Sequence, residues 1–544
     1  MKTKTSTTKS KLLPKPRTPL SCDHCKCSRR DFLASCAMGI GAAGALSSLL
    51  APRILAAGDT PASSGARMKI RVVFALHSPV QSKPDWPNIG FDFNPVMEKI
   101  MTALKIGCPG IEFAQSMIDT PENADILKVS DEAAGGIDGY IIIQMNCWNR
   151  VVQQLITTGK PVLYADFPYG GSGGFLVYTA RLLNDNAPNF AHMSSGKTSH
   201  LVAAANCLPL AKGPGGLKAF ADAVTRIRHD ITAGVKIDPS CAGDRPDILP
   251  TAGLLKELKT KKILEYEGGR VDTRKQTKAA LGIEIIRRPF SELNEHWENA
   301  DKKQAALIAA RWKRDAAGVI DVSDETLESS ARMYLAQKQC MEKHGACAIT
   351  IHCLRAFYGG HIHAYPCLGF HELLNEGLIG ACECDILSTV TMVVMTTMTK
   401  GRPGFISDPV MDVARRQIIY AHCVASNKPF GPGGAKNPYT IMTHSEDRKG
   451  ASVRSTLPPG YMTTTLKMNP NTKEIIFHQA RAVGNSTDDR ACRTKLLGAP
   501  VGDFEKLFTK WDTWGWHRVT YYGDLKTPVF ALAAALDWKV IEEA

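Results

Sequence analysis

The sequence predicts an α/β protein with two successive doubly wound, Rossmann-like domains and a third domain at the C-terminal end. Two observations support this fold class. Short apolar runs, typical of buried parallel strands, alternate with amphipathic segments of helical period. The same alternation restarts after a proline-containing stretch at residues 234–256, which is predicted to be a linker. The predicted segments are a leader at 1–57 and domains at 68–255, 256–380 and 381–544.

Composition and charge indicate a globular protein of two or three domains. The chain has 544 residues, of which 44% are hydrophobic and 22% are charged. The net charge is +13, but ten Lys and Arg residues lie within residues 1–57, against two acids. The rest of the chain carries only a thin basic excess and no basic helix or aromatic-basic platform. Nucleic acid is therefore not an expected partner.

The leader carries an export signature. Ser28–Leu33 reads SRRDFL, which matches a twin-arginine signal, and an apolar, Gly- and Ala-rich run follows from Ala34 to about Ala51. The run is only moderately hydrophobic, which favours a signal over a stable membrane span, although a retained anchor is the alternative. We therefore expect a periplasmic or extracytoplasmic location and the twin-arginine export machinery as a partner. That machinery carries folded proteins, often already loaded with a cofactor.

Cysteine usage favours buried thiols over a disulfide framework. Cys22, Cys25 and Cys27 with His24 have the residue types of a metal site, but they lie in the leader without a second cysteine pair. The twelve cysteines outside the leader are scattered and mostly flanked by apolar residues. Folding before export also argues against disulfides.

The first domain contains the clearest strand–helix alternation. The predicted strands are 68–76, 110–113, 138–145 and 161–166, and the predicted helices are 94–105, 151–157 and 217–229. Five residues rich in glycine, Gly170–Gly174, follow the fourth strand. They are read either as a phosphate cradle or as a flexible loop facing a substrate. The loop is favoured, because no G-x-G-x-x-G pattern or Walker lysine accompanies them.

The second domain repeats the alternation and ends near a histidine pair. The predicted strands are 262–266, 283–286 and 347–353, the predicted helices are 304–316 and 324–342, and Gly268–Gly269 is predicted to be a turn. His361 and His363 form an H-x-H pair, whose side chains would share one face if the segment were a strand. The alternatives, which are favoured, are loop histidines or a substrate contact by His361.

The third domain is organised around an apolar, Thr- and Met-rich run that begins just after Glu383 and Asp385. A Lys-Gly-Arg-Pro-Gly breaker ends this run, and Asp408 follows. If the two elements pack side by side, Glu383 and Asp408 converge, and two carboxylates repel unless a cation or a proton lies between them. This pattern predicts a metal site. The alternatives are helix capping by Glu383 or Asp385, which is favoured for Asp385, and a turn started by Asp408.

A third ligand is expected far along the chain, in the aromatic stretch WDTWGWHRV. His517 lies there among three tryptophans and a glycine. A satisfied core histidine is the alternative. Two carboxylates and one imidazole suit Mn²⁺ well and Mg²⁺ or Fe²⁺ less well, whereas Zn²⁺ more often recruits further His or Cys ligands. Downstream of Asp408, residues 462–468 and 474–478 alternate as antiparallel strands do.

Two stretches resemble the C-terminal domain of L-fucose isomerase and its relatives, the L-arabinose isomerase-like proteins. They are ACECDILSTVTMVVMTTMTKGRPGFISDPV at residues 381–410 and TWGWHRVTYYGDLKTPVFALAAALDWKV at residues 513–540. The resemblance implies a β-barrel-like C-terminal domain and Mn²⁺, or another divalent cation, held by Glu383, Asp408 and His517. It also implies a homo-oligomer with the site near a subunit boundary.

The activity that this resemblance implies is aldose–ketose isomerisation of a monosaccharide through an enediol. Glu383 and Asp408 would serve as ligands and as acid and base, and His517 would anchor the metal. Trp514 and Trp516 would form an apolar wall for the sugar. Two other classes fit an exported chain with two α/β lobes: a carbohydrate-binding protein without turnover, and a metal-dependent epimerase or another carbohydrate-active enzyme.

Overall fold

The computed structural model describes residues 67–238, 240–267 and 273–544. The predicted export signal at 1–57 and the predicted Gly268–Gly269 turn lie outside the described residues. Within them, no helix combines the length and the apolar character that a membrane span needs.

A five-stranded parallel sheet forms the N-terminal part, as predicted. Its strands are β1 (Met68–Ala75), β2 (Ile111–Ile118), β3 (Gly139–Gln144), β4 (Val162–Asp166) and β5 (Phe190–Met193), in the spatial order β2-β1-β3-β4-β5. Its helices are α1 (Asn94–Gly107), α2 (Pro121–Ala134), α3 (Val151–Leu155), α4 (Ser172–Asn184), α5 (Thr198–Ala205) and α6 (Gly216–Ala233). Every residue of β3 and β4 is buried, which explains their nearly continuous apolar sequences.

The glycine-rich run after β4 is not a flexible loop, so that prediction was wrong. Gly173 and Gly174 lie in the buried first turn of α4. A Cβ atom on Gly171 would lie 1.9 Å from the Gln144 carbonyl oxygen, and one on Gly173 would lie 2.8 Å from the Trp516 ring. The glycines are therefore needed for close packing: they let the start of α4 approach β3 and an aromatic side chain of the C-terminal part.

A second parallel sheet follows, with the order β10-β9-β6-β7. Its strands are β6 (Lys262–Tyr266), β7 (Glu284–Arg288), β9 (Ala348–Ile351) and β10 (Ile379–Ala381). The helices of this part are α7 (Thr251–Leu258), α8 (Arg274–Leu281), α9 (Phe290–Glu298), α10 (Lys302–Asp315), α11 (Asp324–His344), α12 (Cys353–Tyr358) and α13 (Cys367–Asn375). Because α7 occupies the end of the predicted linker 234–256, that linker is shorter than expected. The domain boundaries themselves remain predictions.

The C-terminal part is an antiparallel barrel, in agreement with the predicted fold class. Its strands are β11 (Phe405–Asp412), β12 (Gln417–His422), β15 (Met462–Asn469), β16 (Glu474–Asn485), β17 (Thr494–Pro500), β18 (Arg518–Tyr522) and β19 (Lys539–Glu542). The pairing order β15-β18-β11-β12-β17-β16 closes on itself because β15 also pairs with β16, and β19 adds to β16. A separate small sheet contains β8 (Gly318–Ile320), β13 (Tyr439–Met442) and β14 (Ser452–Ser455).

The Thr- and Met-rich run forms α14 (Ile386–Met398), a buried helix that packs on the barrel; the remaining helices are α15 (Trp511–Trp514) and α16 (Lys526–Leu536). Asp385 caps α14 by accepting a hydrogen bond from the Ser388 backbone N–H at 3.1 Å, as predicted. Thr391 Oγ1 accepts from the Met468 N–H at 2.8 Å, and Thr396 Oγ1 lies 3.0 Å from the Tyr521 hydroxyl. These threonines join the helix to β15 and β18, and so fix its position relative to the barrel.

Candidate metal centre

Four side chains from distant parts of the chain meet beside the start of α14. Glu383, Asp408, His422 and His517 each offer one ligand atom, and these atoms all lie within 4.8 Å of one another. His517 Nε2 lies 3.0 Å from Asp408 Oδ1 and 3.6 Å from Glu383 Oε2. His422 Nε2 lies 3.8 Å from both Asp408 Oδ2 and Glu383 Oε1. The three residues predicted from the sequence as ligands are therefore brought together, with one more histidine.

Strand pairing brings the segments of three of them together. Asp408 lies on β11, directly opposite Ala421 of β12, and His422 follows at the end of that strand. On the other side of β11, Ser407 pairs with Arg518 of β18, and His517 immediately precedes that residue. The central aspartate is thus flanked by one histidine from each neighbouring strand.

Glu383 reaches the same point from the short connection between β10 and α14. Both Glu383 and Cys384 have positive φ, 59° and 53°, a conformation that side-chain-bearing residues rarely adopt. The Cys384 N–H donates to the Ile351 carbonyl at 3.1 Å, which helps to hold the connection against the second sheet. Backbone strain of this kind persists when the surrounding structure fixes it, and it is concentrated at functional sites.

The protonation pattern of His517 suits a metal ligand. Its Nδ1–H donates to Asp385 Oδ2 at 3.1 Å, which directs Nε2 at the two carboxylates. Because the pKa of His517 is raised, Nε2 carries a proton in the metal-free site, and a bound cation would take the place of that proton. Lys467, itself buried, contacts the same Asp385 oxygen at 2.7 Å and also donates to the Trp514 carbonyl at 3.1 Å. Asp385 therefore has a second role beyond the predicted helix cap, because it orients the imidazole.

His422 has the opposite pattern. Its Nδ1 accepts a hydrogen bond from the Cys423 backbone N–H at 2.9 Å, so the proton of the neutral ring belongs on Nε2. This Nε2 atom is buried and has no hydrogen-bond partner. It faces the two carboxylates as a donor at distances too long for a hydrogen bond. His422 is thus arranged to donate to a further group in the site rather than to ligate a cation.

Burial and neighbouring charges shift the pKa values of Glu383, His517 and Asp385. Burial raises the pKa of Glu383 to about 8, and the Asp408 carboxylate adds to the rise, although His517 opposes it. Burial alone would lower the pKa of His517, but Asp408 and Glu383 outweigh it and raise that pKa well above its usual range. Burial would raise the pKa of Asp385, but Lys467 and His517 hold it well below its usual range.

The donor set fits a divalent cation. Two buried or half-buried carboxylates face one correctly oriented imidazole nitrogen, a set of oxygen and nitrogen ligands that suits Mn²⁺, Fe²⁺ or Mg²⁺ better than a thiolate-seeking metal. In the absence of a cation, the like charges of Glu383 and Asp408 are balanced only by a proton and by His517. Glu383, Asp408 and His517 are the residues that would hold the metal.

The two tryptophans predicted as a substrate wall differ in exposure. Trp514 is buried, and its carbonyl oxygen holds Lys467. Trp516 is half-buried, and its Nε1–H donates to the Pro409 carbonyl at 2.9 Å, one residue from Asp408. An exposed tryptophan of the first sheet, Trp148, packs edge-on against Trp516 with ring centroids 5.7 Å apart. Trp516 and Trp148 together present an aromatic surface beside the site, whereas the substrate role of Trp514 remains a prediction.

His361 and His363 lie in a different environment. His361 is exposed, its ring stacks on Phe290 at 6.1 Å, and its carbonyl accepts from Asn294 at 2.9 Å. His363 lies 3.1 Å from Glu298. Neither belongs to the cluster of candidate ligands, and the segment is a loop rather than a strand, as the favoured alternative predicted. A substrate contact by His361 remains a prediction.

Sequence reasoning missed His422 and Trp148. His422 is the last residue of the buried strand β12, and a lone histidine at the end of an apolar run is the available signal. Trp148 follows β3 at the carboxyl edge of the first sheet, where ligand-facing residues are expected, but nothing in the sequence related it to Trp516.

Curated proteins provide an independent comparison. The chain is similar to sulfoquinovose isomerases. The protein of that name from Clostridium sp. (strain MSTE9) is 25% identical over 248 residues, which cover 44% of this chain and 52% of the relative. Those from Priestia aryabhattai and Priestia megaterium (strain ATCC 12872 / QMB1551) are each 22% identical over 216 residues, which cover 38% of this chain and 47% of each relative. The chain thus spans about half the length of the curated relatives it matches.

No protein-family model matches the chain. Among solved structures, the XylFII-LytSN complex covers 53% of this chain at 10% identity, with a TM-score of 0.15. A superposition that weak does not relate the two folds.

Proposed function

We propose that this protein is a metal-dependent aldose–ketose isomerase acting on a monosaccharide. The observation that carries the proposal is the meeting of Glu383, Asp408 and His517, with Nε2 of His517 directed at both carboxylates. The similarity to sulfoquinovose isomerases supports the same reaction class. It also makes sulfoquinovose the first sugar to test.

Mn²⁺ is the cation we propose for this site. When bound, such a cation supplies positive charge beside the oxygens on C1 and C2 of the sugar, which makes the C2 proton more acidic. Glu383, Asp408 and His517 would hold it. Asp385 and Lys467 keep the His517 ring in the orientation that ligation needs.

The reaction requires two proton movements. The proton on C2 moves to C1, and the proton on the C2 hydroxyl moves to the C1 oxygen, through an enediol. Glu383 is the better placed of the two acids to carry the C2 proton, because 29% of its side chain is exposed against 5% for Asp408. Asp408, fixed on a barrel strand, would serve the hydroxyl proton.

His422 would donate its Nε2 hydrogen to a sugar oxygen. A neutral imidazole whose proton is fixed on Nε2 by a backbone N–H stabilises negative charge that develops on that oxygen. Trp516 and Trp148 would contact the C–H face of the ring.

Location and assembly are part of the proposal. The twin-arginine signature at Ser28–Leu33 supports export, with the protein acting in the periplasm or another extracytoplasmic space.

The exposure of Trp148 next to the site supports a homo-oligomer in which a neighbouring subunit covers the aromatic surface. Size-exclusion chromatography with light scattering tests the second point, and a strict monomer would contradict it.

The activity is tested by incubating the Mn²⁺-loaded protein with sulfoquinovose and a panel of neutral aldoses in heavy water. We expect ketose formation, with deuterium at C1 of the ketose and at C2 of the recovered aldose. Glu383→Gln should abolish both, while Glu298→Gln, an exposed acid outside the cluster, should leave both unchanged.

Each other outcome counts against a defined part of the proposal. Saturable binding without exchange would identify a carbohydrate-binding protein. Exchange with inversion at C2 and no ketose would identify an epimerase. Ketose that carries no deuterium would show that hydrogen moves from C2 to C1 as a hydride, which would contradict the proton transfer.

A further inference from the structure

A ligand-sized cavity lies beside the candidate metal centre. It has a volume of about 870 Å³ and is formed where the carboxyl edge of the first sheet faces the barrel. Its walls include the ends of β3, β4 and β5 and side chains of β11 and β12. None of the four clustered residues lines it, but Val410 in its wall is two residues along β11 from Asp408, roughly 7 Å away. Ligands of open parallel sheets bind at this edge.

One buried carboxyl group in the wall is incompletely satisfied. Asp166 ends β4 and is 7% exposed; its Oδ2 accepts from Ser172 Oγ at 2.9 Å and from Ser194 Oγ at 3.3 Å. Its Oδ1 has no hydrogen-bond partner. Burial raises the pKa of Asp166 to about 7, so this carboxyl group holds a proton part of the time at neutral pH. Oδ1 itself is buried, so the carboxyl group must rotate to present it to the cavity. A ligand hydroxyl then satisfies it in either state, because it can donate to a carboxylate or accept from a carboxylic acid.

The charges that line the cavity leave two cations unpaired. Arg415 lies 2.7 Å from Asp412, and Arg490 lies 2.6 Å from Asp488, so these four residues neutralise one another. Lys99 and Lys197 also line the cavity, and no ion pair joins either of them to a carboxylate in the part of the chain that the structure describes. The unpaired charge favours an anionic ligand group.

Lys197 lies at a second feature that binds anions. It is the residue before α5, in the turn Ser195–Thr198 that connects β5 to this helix. The first N–H groups of a helix have no acceptor within it, and the Lys197 side chain makes no capping hydrogen bond. The N–H groups of Gly196 and Lys197 already donate, to Asp412 Oδ1 at 3.5 Å and to Ser195 Oγ at 3.1 Å. An anion would therefore meet the first N–H groups of α5 itself, together with the helix dipole and the Lys197 ammonium group.

We propose that this cavity binds a phosphorylated sugar, with its phosphate at the start of α5 beside Lys197 and Lys99 and a hydroxyl group on Asp166. A phosphate ion alone would leave Asp166 unsatisfied, and a neutral sugar would gain nothing from the two lysines, which are exposed. The volume suits a ligand of that size or somewhat larger. The cavity shares no lining residue with the cluster of candidate ligands.

The test is calorimetric titration of the metal-free protein with glucose 6-phosphate, glucose, inorganic phosphate and AMP. We expect glucose 6-phosphate to bind more tightly than the other three. Lys197→Gln and Lys99→Gln should each weaken it roughly tenfold or more, the effect of losing a charged hydrogen bond. Lys302→Gln, which removes an exposed lysine of α10, is the matched control and should not change it.

Glu383→Gln separates the two sites, because it should leave binding of glucose 6-phosphate unchanged. Weakening by Glu383→Gln but not by Lys197→Gln would place the sugar phosphate at the metal centre and overturn the proposal. Tighter binding of AMP, equal binding of glucose, or no binding at all would also overturn it.

Discussion

Two histidines of the same cluster differ in the group that each ring nitrogen contacts. Asp385 accepts a hydrogen bond from Nδ1–H of His517, whereas the Cys423 N–H donates to Nδ1 of His422. The Nε2 atom of His517 can therefore exchange its proton for a cation, whereas the Nε2 atom of His422 keeps its proton as a hydrogen-bond donor. This distinction assigns ligation to His517 and hydrogen bonding to His422, although both lie within reach of the same carboxylates.

Asp385→Asn tests the orientation of His517. An amide accepts a weaker hydrogen bond from Nδ1–H and leaves the Lys467 ammonium without its charge partner. We expect affinity for Mn²⁺ to fall about 10- to 100-fold, measured by calorimetry. Asp537→Asn, at an exposed helix end, is the control. Unchanged affinity in Asp385→Asn would remove Asp385 from the metal centre.

His422→Leu tests the donor role. Because its Nε2 carries the proton, we expect Mn²⁺ affinity to change less than about threefold while kcat falls about 100-fold, as for loss of a donor to a developing oxyanion. His422→Gln keeps a donor and should recover part of kcat. A loss of Mn²⁺ binding in His422→Leu would show that this residue is a ligand.

At the scale of elements, the metal centre depends on contacts between the first α/β part and the barrel. The start of α4 packs on Trp516, whose indole also contacts Trp86 with ring centroids 4.9 Å apart. Trp516 precedes His517 and hydrogen-bonds the residue after Asp408. Glycine at position 173 allows the start of α4 to pack directly on the Trp516 ring.

Gly173→Ala should displace Trp516, because the added Cβ would lie 2.8 Å from its ring. We expect KM for the sugar to rise and kcat/KM to fall about tenfold or more, with little change in Mn²⁺ affinity. Gly213→Ala, whose Cβ would meet nothing closer than 3.5 Å, is the control. Equal kinetic constants in the two variants would contradict this packing role.

The sequence predicted those elements whose pattern is local. The sequence was enough to predict β3, β4 and the start of α14. Apolar runs and a capping residue are signals contained within a few neighbouring residues. The glycines before and within α4 were misread, since their contacts are not local: Gly171 packs on Gln144 of the neighbouring strand β3, and the Trp516 ring that requires Gly173 lies more than 300 residues along the chain. Likewise, the triad was predicted through the family resemblance, whereas His422 required knowing that β11 pairs with β12.

For the whole molecule, a buried polar network joins the C-terminal strand β19 to the barrel. Arg518, the residue after His517, pairs with Glu543 at 3.0 Å and donates to the carbonyl oxygens of Gly515 and His517, each at 3.0 Å. Glu543 also accepts from His478 Nδ1 at 2.8 Å. The network therefore connects the C-terminal strand β19 to the segment that presents His517.

Glu543→Gln should destabilise the barrel by about 3–5 kcal/mol at pH 7, because Arg518 is left buried without its charge partner. Glu542→Gln, which breaks an exposed pair with Lys526, should cost less than about 1 kcal/mol. The measurement is the midpoint of urea unfolding followed by tryptophan fluorescence. Equal midpoints for the two variants would contradict the role of the network.

The pair of Glu543 and Arg518 makes the free energy of unfolding depend on pH. Burial alone would raise the pKa of Glu543, but Arg518 and His478 outweigh it and lower that pKa to about 2 from 4.5. Its contribution is therefore fully present above about pH 4.5 and lost as the pH falls toward 2. Between these values the wild type should lose more stability than Glu543→Gln. Parallel losses would contradict the low pKa.

The central claim is that Glu383, Asp408 and His517 bind one divalent cation, and anomalous diffraction from crystals grown with Mn²⁺ tests it most directly. We predict a single manganese peak in contact with Oε of Glu383, Oδ of Asp408 and Nε2 of His517, with no such peak in crystals of Asp408→Asn. A manganese-loaded crystal with no peak among these three side chains would contradict the account.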